Sequence, residues 1–179
     1  MAHKQKKASI RTATNVAQIL WPDFIEVNDC VFLDFFDGEN PGELPQGKTE
    51  TECFINHMHL FDEFGNKAAT ENRTHNSEVV DVVEETYDIN HPDFIAACDL
   101  GLKIARMWAV KLKLDFPRDR FRVYYTQYDN PIVRFHKVRS DEPEWLSDDA
   151  LQLTTDPNFQ NAVIYDTGYL DRPSTKRVP

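Results

Sequence analysis

The residues from His91 to Leu114 constrain the fold more than any other part of this chain. His91-Pro92 opens them as a helix start does, because proline lacks the N–H that a first helical turn would leave orphaned anyway. Ile95, Cys98, Leu102, Ala105, Ala109 and Leu112 then recur every three or four residues, and Asp99, Lys103, Arg106 and Lys113 fall on the other side. The spacing predicts a helix over about 92–114, ended by Phe116-Pro117 and roughly 34 Å long at 1.5 Å per residue. A helix that long has an apolar stripe to bury, and a sheet offers the surface to bury it. Gly101 sits in its middle at a cost of about 1 kcal/mol against alanine, so close approach by another backbone is expected there.

The flanking sequence supplies the strands. Residues 23–27 and 30–36 are rich in Phe, Ile and Val and are split by Asn28-Asp29, which predicts a tight hairpin. Residues 120–127 and 132–139 form a second hairpin around Tyr128-Asp129-Asn130-Pro131. Glu52 to Phe61 alternates as a strand, with Cys53, Ile55, His57, His59 and Phe61 on one face. Val79, Val80, Val82 and Val83 favour a strand over 78–87, and 161–165 reads as a last one. Apolar spacing over Ser9–Trp21 predicts a short helix stopped by Pro22, with Thr12 or Thr14 as its cap, and residues 150–153 another. Glycine and proline mark 37–47 as a loop, and polar composition marks 65–76 as a second. The expected fold is α+β. A mainly antiparallel sheet of five to six strands packs against the long helix in one domain over 9–171, between a disordered basic arm at 1–8 and a basic tail at 172–179. At 179 residues such a chain buries about 70% of the surface it would expose unfolded, enough to fold without disulfides or metal.

Charge is segregated along the chain. The overall charge is −10, but residues 1–11 and 172–179 contain seven of the 20 Lys and Arg and no acid, so the body sets 13 cations against 30 acids and carries −17. Residues 23–52 hold nine carboxylates against Lys48 alone, whereas 103–139 hold ten Lys and Arg against Asp115, Asp119 and Asp129. Residues 141–156 return to six acids and no base. Blocks of opposite sign are expected to neutralise one another across the fold. An acidic body argues against general nucleic-acid binding. No apolar run reaches the roughly 18 residues of a membrane span, and the basic N-terminus lacks the apolar core of a signal peptide, so a cytoplasmic protein without membrane partners is expected. Cys30, Cys53 and Cys98 lie far apart among apolar residues and read as small buried hydrophobes.

Three constellations bear chemistry. His57-Met58-His59 places two imidazoles on one face of a strand, where a metal could meet both with Glu63 as a third ligand. This His-x-His-x-x-x-Glu run resembles the first metal motif of the cupins over seven residues. The glycine that precedes that motif is absent, no second motif follows, and the long helix interrupts what would be an all-β barrel. The alternative is a strand-face pair hydrogen-bonded to nearby carboxylates. In the second hairpin, alternation sets Arg122 and Tyr124 on one strand beside Arg134 and His136 on the other. If the Phe121 face packs on the helix, these four converge outward as a site for a small anion, since guanidinium forks suit carboxylate and phosphate. Alternatively Asp141, Glu142 and Glu144 fold back and neutralise the arginines. The third, Asp166-Thr167-Gly168, resembles the catalytic triplet of the aspartic proteases, but too little chain follows for their barrel, and turn chemistry is expected.

No nucleophile elbow, Walker loop or dinucleotide-binding glycine pattern occurs, and the acids of 23–52 have no calcium-loop spacing. The leading expectation is therefore a non-enzymatic binding or interaction protein, without a cofactor, whose acidic surface at Glu39, Glu43 and Glu50 meets a basic protein partner. A metal-dependent hydrolytic or oxidative enzyme centred on His57 and His59, which would need a divalent metal, is one alternative. Small-anion binding on the Arg122/Arg134 face is the other.

Overall fold

A computed structural model describes residues 9–34, 47–65, 68–74, 82–127, 130–146 and 161–170, with backbone alone in 70–74 and 82–86. In chain order these form α1 (Ile10–Leu20), β1 (Phe24–Val27), β2 (Cys30–Leu33), α2 (Lys48–Ile55), β3 (Met58–His59), α3 (Leu60–Glu63), β4 (Ala69–Thr74), β5 (Val82–Tyr87), α4 (Pro92–Asp115), β6 (Phe121–Thr126), β7 (Ile132–Lys137), β8 (Val163–Asp166) and a 3-10 turn at Thr167–Tyr169. The architecture is α+β, and α4 is the long helix the sequence predicts. The sheet differs from expectation. Strands β3-β7-β6-β8 make one four-stranded antiparallel sheet, while β1-β2 and β4-β5 are separate two-stranded ribbons.

His91 caps α4 by accepting from Asp93 N–H at 3.1 Å. The buried stripe of α4 is Phe94, Gly101, Ile104, Ala105, Trp108, Ala109 and Leu112. Ile95, predicted to be part of that stripe, is 59% exposed, because the first turn aims Phe94 at Phe61 instead. The helix lies on the face of the sheet formed by Phe121, Val123, Tyr125, Val133 and Phe135. Edge-to-face aromatic packing fills the space between, with Phe135 meeting Trp108 at 6.0 Å and Phe24 at 5.3 Å. Gly101 meets a ring rather than the predicted backbone. A Cβ there would lie 2.7 Å from Tyr125 Cε2 and 3.3 Å from Leu60 Cδ2.

Helix α1 is capped by Ser9, whose Oγ accepts from Thr12 N–H at 3.0 Å, and not by Thr12 or Thr14. Its C-terminal end is fastened to α4 by Trp108 Nε1–H donating to the Ile19 carbonyl at 2.8 Å. In the β1-β2 hairpin, Asn28 and Asp29 both take positive φ, 52° and 65°, the turn that a right-twisted two-residue hairpin requires. All four residues of β2 are buried.

The segment 52–61 is not the strand its alternation suggests. It holds the second half of α2, the two-residue β3 and the start of α3. The reason lies in α2's side chains. With β1 on one side, β2 turns Val31 and Leu33 N–H outward, and no strand pairs with them. Glu52 Oε1 accepts from Val31 N–H at 2.7 Å, Asn56 Oδ1 accepts from Leu33 N–H at 3.1 Å, and Asn56 Nδ2 donates to the Val31 carbonyl at 2.8 Å. The other side of the same two side chains meets the edge of β7 beyond the short β3. Lys137 N–H donates to Glu52 Oε2 at 2.8 Å, and Asn56 Nδ2 reaches the Phe135 carbonyl at 3.5 Å. Two residues four apart on one helix face thus replace a missing strand between β2 and β7. Helix α2 starts at Gly47, which offers no side-chain cap. Glu142 supplies one from across the fold, accepting Lys48 and Thr49 N–H at 2.9 and 2.6 Å.

The loop expected over 65–76 contains β4, which pairs with β5 from Ala69↔Tyr87 to Thr74↔Val82. The short helix expected over 150–153 lies outside the described residues, as do the arm at 1–8 and the tail at 172–179. Among the described residues no helix is long and apolar enough to cross a membrane.

Two substitutions test this account. Glu52→Ala leaves Val31 and Lys137 N–H and the Arg139 guanidinium without their acceptor. It should lower the unfolding free energy by about 3–5 kcal/mol in urea titration, the scale of breaking a buried pair from one side. Gly101→Ala gains about 1 kcal/mol of helix propensity, yet should destabilise by about 1–3 kcal/mol net, because neither the Tyr125 ring nor Leu60 has room to retreat.

Candidate functional site

The sheet face turned away from α4 carries Arg122 and Tyr124 on β6 beside Arg134 and His136 on β7, with Arg122 opposite His136 and Tyr124 opposite Arg134. The structure brings the four predicted residues together but does not turn them all outward. Helix α2 lies over β7, and the chain after Arg139 returns across β6. Arg122 is 7% exposed, and Tyr124 and His136 are each 1% exposed.

All three have partners within the fold. His136 Nδ1–H donates to the Lys137 carbonyl at 2.9 Å, which leaves Nε2 to accept from the Tyr124 hydroxyl at 2.8 Å. Burial lowers the His136 pKa from 6.5 to about 4, with the Arg122 and Arg139 charges adding to the effect, so the ring is neutral. Burial likewise pushes the Tyr124 phenol up. Arg122 pairs with Glu144 and lies 3.4 Å from Asp166, so Glu144 does fold back as one alternative predicts. Glu142 instead caps α2. Asp166 receives a forked contact from Arg120, at 2.9 Å to Oδ1 and 2.5 Å to Oδ2, and a bond from Gly168 N–H. Burial acts to raise that carboxyl, but Arg120, Gly168 and Arg122 hold it below its ordinary value. Asp166-Thr167-Gly168 is turn chemistry. Its Asp caps the 3-10 turn, and Thr167 Oγ1 accepts from Phe121 N–H at 2.8 Å.

Arg134 is different. Its Nε, like those of Arg122 and Arg139, is buried without a hydrogen-bond partner, but unlike them it has no carboxylate among the described residues paired with its guanidinium. Burial lowers its pKa, and the nearest titratable group acting on it is the Cys53 thiol, itself pushed up by burial. The guanidinium lies against the Trp145 indole, 5.2 Å from the ring centroid, and Trp145 is 40% exposed. A guanidinium in this setting offers donors to an anion and one face to a ring. Trp145 was not singled out by sequence reasoning. Its place directly after Glu144, in the segment expected to fold over the hairpin, was the available signal.

His57 and His59 stand side by side, with ring centroids 5.2 Å apart, and His57 Nδ1 bonds the Phe54 carbonyl. Glu63 sits exposed on α3. Among the described residues no group of three or more His, Cys, Asp or Glu is placed to hold a metal ion. The described acids of 23–52 are mostly engaged within the fold. Asp29 pairs with Lys48 at 2.8 Å and Lys137 at 2.9 Å, Glu26 with Lys137 at 3.7 Å, Asp23 with Lys111 at 3.8 Å, and Glu52 with Arg139 at 2.7 Å. Glu50 is exposed on the first turn of α2, and Glu39 and Glu43 lie outside the described residues. Elsewhere, a shallow groove of about 180 Å³ between α3 and α4 is lined by Leu60, Phe64, Ala97 and Leu100, with Asp93 at its polar end.

No protein-family model matches the chain, and comparison with curated proteins and with solved structures gives no significant match.

The buried His136 makes a pH prediction. Its folded pKa, about 4, lies below the unfolded 6.5, so the stability it contributes is present above 6.5 and is lost as pH falls toward 4. Between pH 7 and pH 5 this amounts to about 2 kcal/mol. His136→Gln removes the linkage, so the variant's deficit in unfolding free energy should shrink by that amount over the same range. Parallel curves for the two proteins would show that the ring titrates normally.

Proposed function

We propose that this protein binds a small anionic ligand, received by Arg134 at the partly exposed corner of the outer sheet face. The observation that carries this reading is a half-buried arginine with no carboxylate partner among the described residues. Every other arginine on that face or beside it has a counter-charge, Glu144 for Arg122, Asp166 for Arg120 and Glu52 for Arg139. A buried charge without a partner costs free energy, so a position where the described residues supply no fourth pair is one that a ligand can fill. The ligand's carboxylate or phosphate would accept from the guanidinium edge, while Trp145 holds its flat face.

The stability test separates this role from a structural one. Arg134→Met keeps the aliphatic stem and removes the charge. The free protein should become more stable to urea by about 1–2 kcal/mol. The same substitution should abolish the thermal stabilisation that millimolar phosphate or carboxylate gives the native chain. A large loss of stability would mark Arg134 as a packing residue and overturn the proposal.

A second reading is that the acidic surface at Glu39, Glu43 and Glu50 meets a basic protein. It is favoured by Glu50, which is exposed on α2 and has no ion pair among the described residues, unlike Asp23, Glu26, Asp29 and Glu52. Retention of the chain on immobilised polylysine at moderate salt should fall when the three glutamates are changed to lysine. Unchanged retention would remove this surface from consideration.

A further inference from the structure

The anion that Arg134 receives is carried on a flat ring: we infer that the ligand is an aryl or heteroaryl compound bearing a carboxylate or phosphate, and that its ring lies on the aromatic row beside Arg134. This rests on the anion reading above and adds the chemistry of the rest of the molecule.

The register of the sheet places the row. β3 pairs with β7 through Met58↔Val133 and His59↔Ile132, and one more step puts His57 opposite Arg134. Residues directly opposite in an antiparallel pair project to the same face, so Met58 and Val133 share the core face while His59 and Ile132 project to the face that carries Arg134. The His57 ring lies 5.8 Å from the Phe54 ring and 5.2 Å from the His59 ring. Phe54 belongs to α2, which packs against β7 and brings Cys53 close enough for its thiol to act on Arg134. Phe54 is 65% exposed, although an aromatic on a helix so close to the sheet is more commonly packed inward. On the other side of Arg134, Trp145 keeps 40% of its surface open.

The result is a guanidinium without a carboxylate partner among the described residues, with the partly open Trp145 indole against it and, on the neighbouring strand and helix, a row of two imidazoles and the exposed Phe54 ring. Each element alone has a bland explanation. Together they match what a ring-bearing anion needs, which is a guanidinium fork for the charge and ring faces for stacking. A simple inorganic anion uses only the first. The imidazoles tolerate stacking in either protonation state, and nothing here requires a metal or a covalent step.

Calorimetric titration of the full chain with phenyl phosphate, benzoate, inorganic phosphate and acetate decides the matter. Phenyl phosphate should bind at least tenfold tighter than inorganic phosphate, or benzoate at least tenfold tighter than acetate. Which pair shows the difference identifies the acidic group. Phe54→Ala and Trp145→Ala should each weaken the aryl ligand about tenfold and leave the inorganic anion unchanged, Trp145→Phe should restore most of the loss, and Arg134→Met should abolish both. Because Phe54 is exposed, its variant keeps the fold and supports the test if Trp145→Ala is unstable. Equal binding of aryl and inorganic anions would overturn the ring inference while leaving Arg134 as an anion site. Tight aryl binding that survives Arg134→Met would overturn the location, and no binding by any of the four probes to folded protein would overturn both readings.

Discussion

The Glu52 carboxylate is the interaction on which the rest of the fold depends. It is fully buried, and its two oxygens accept from Val31 N–H, Lys137 N–H and both terminal nitrogens of Arg139. A carboxylate is an economical bridge between two strand edges, because its two oxygens accept from opposite sides and it has no donor of its own to satisfy. Burial pushes the carboxyl up, while Arg139 and the two backbone N–H groups hold it down. The hairpin, the four-stranded sheet and α2 therefore meet at one side chain. Asn56, one turn further along, repeats the bridge with an amide, which suits its position because there the edges present both a donor and an acceptor.

The segregation of charge along the sequence finds its explanation in this arrangement. The acidic segment 23–52 forms the hairpin and α2, and the basic segment 103–139 forms the end of α4 and strands β6 and β7 that lie beside them. Lys137 sits among Asp29, Glu26 and Asp119, and three cations, from Lys48, Lys137 and Arg139, come within 4 Å of the Asp29 carboxylate. The first influences on that carboxylate are the Lys48 and Lys137 ammonium groups, which hold it well below the usual range. Much of the block charge is thus a device for docking a hairpin onto a sheet. Exposed pairs of this kind contribute little individually, but a network anchored by a buried fork fixes register and orientation.

What the sequence made legible follows from which interactions are local. The α4 helix, the Asn28-Asp29 hairpin and the β6-β7 pair are encoded by periodicity and turn chemistry within a few residues, and all three are present. The 52–61 segment is not legible this way, because its apolar residues alternate while its decisive residues, Glu52 and Asn56, are polar and buried. A pattern built on hydrophobicity cannot see a polar residue whose partners are strand edges 21 to 85 positions away. Among the site residues, strand alternation correctly placed Arg122, Tyr124, Arg134 and His136 on one face. It could not show that α2 and the chain after Arg139 cover three of them, since that depends on tertiary docking.

That partial covering explains why Arg134 stands out. In a face open to water all four side chains would be solvated and an unpaired arginine would mean nothing. Here the covering layer removes water from Arg122, Tyr124 and His136 and supplies each with a protein partner, Glu144 for the arginine and a mutual hydrogen bond for the tyrosine and histidine. Arg134 stays only partly buried. Its Nε is buried, no carboxylate among the described residues pairs with it, and the neighbouring indole stays partly open to solvent. A neutral side chain of similar shape would lie there at lower cost.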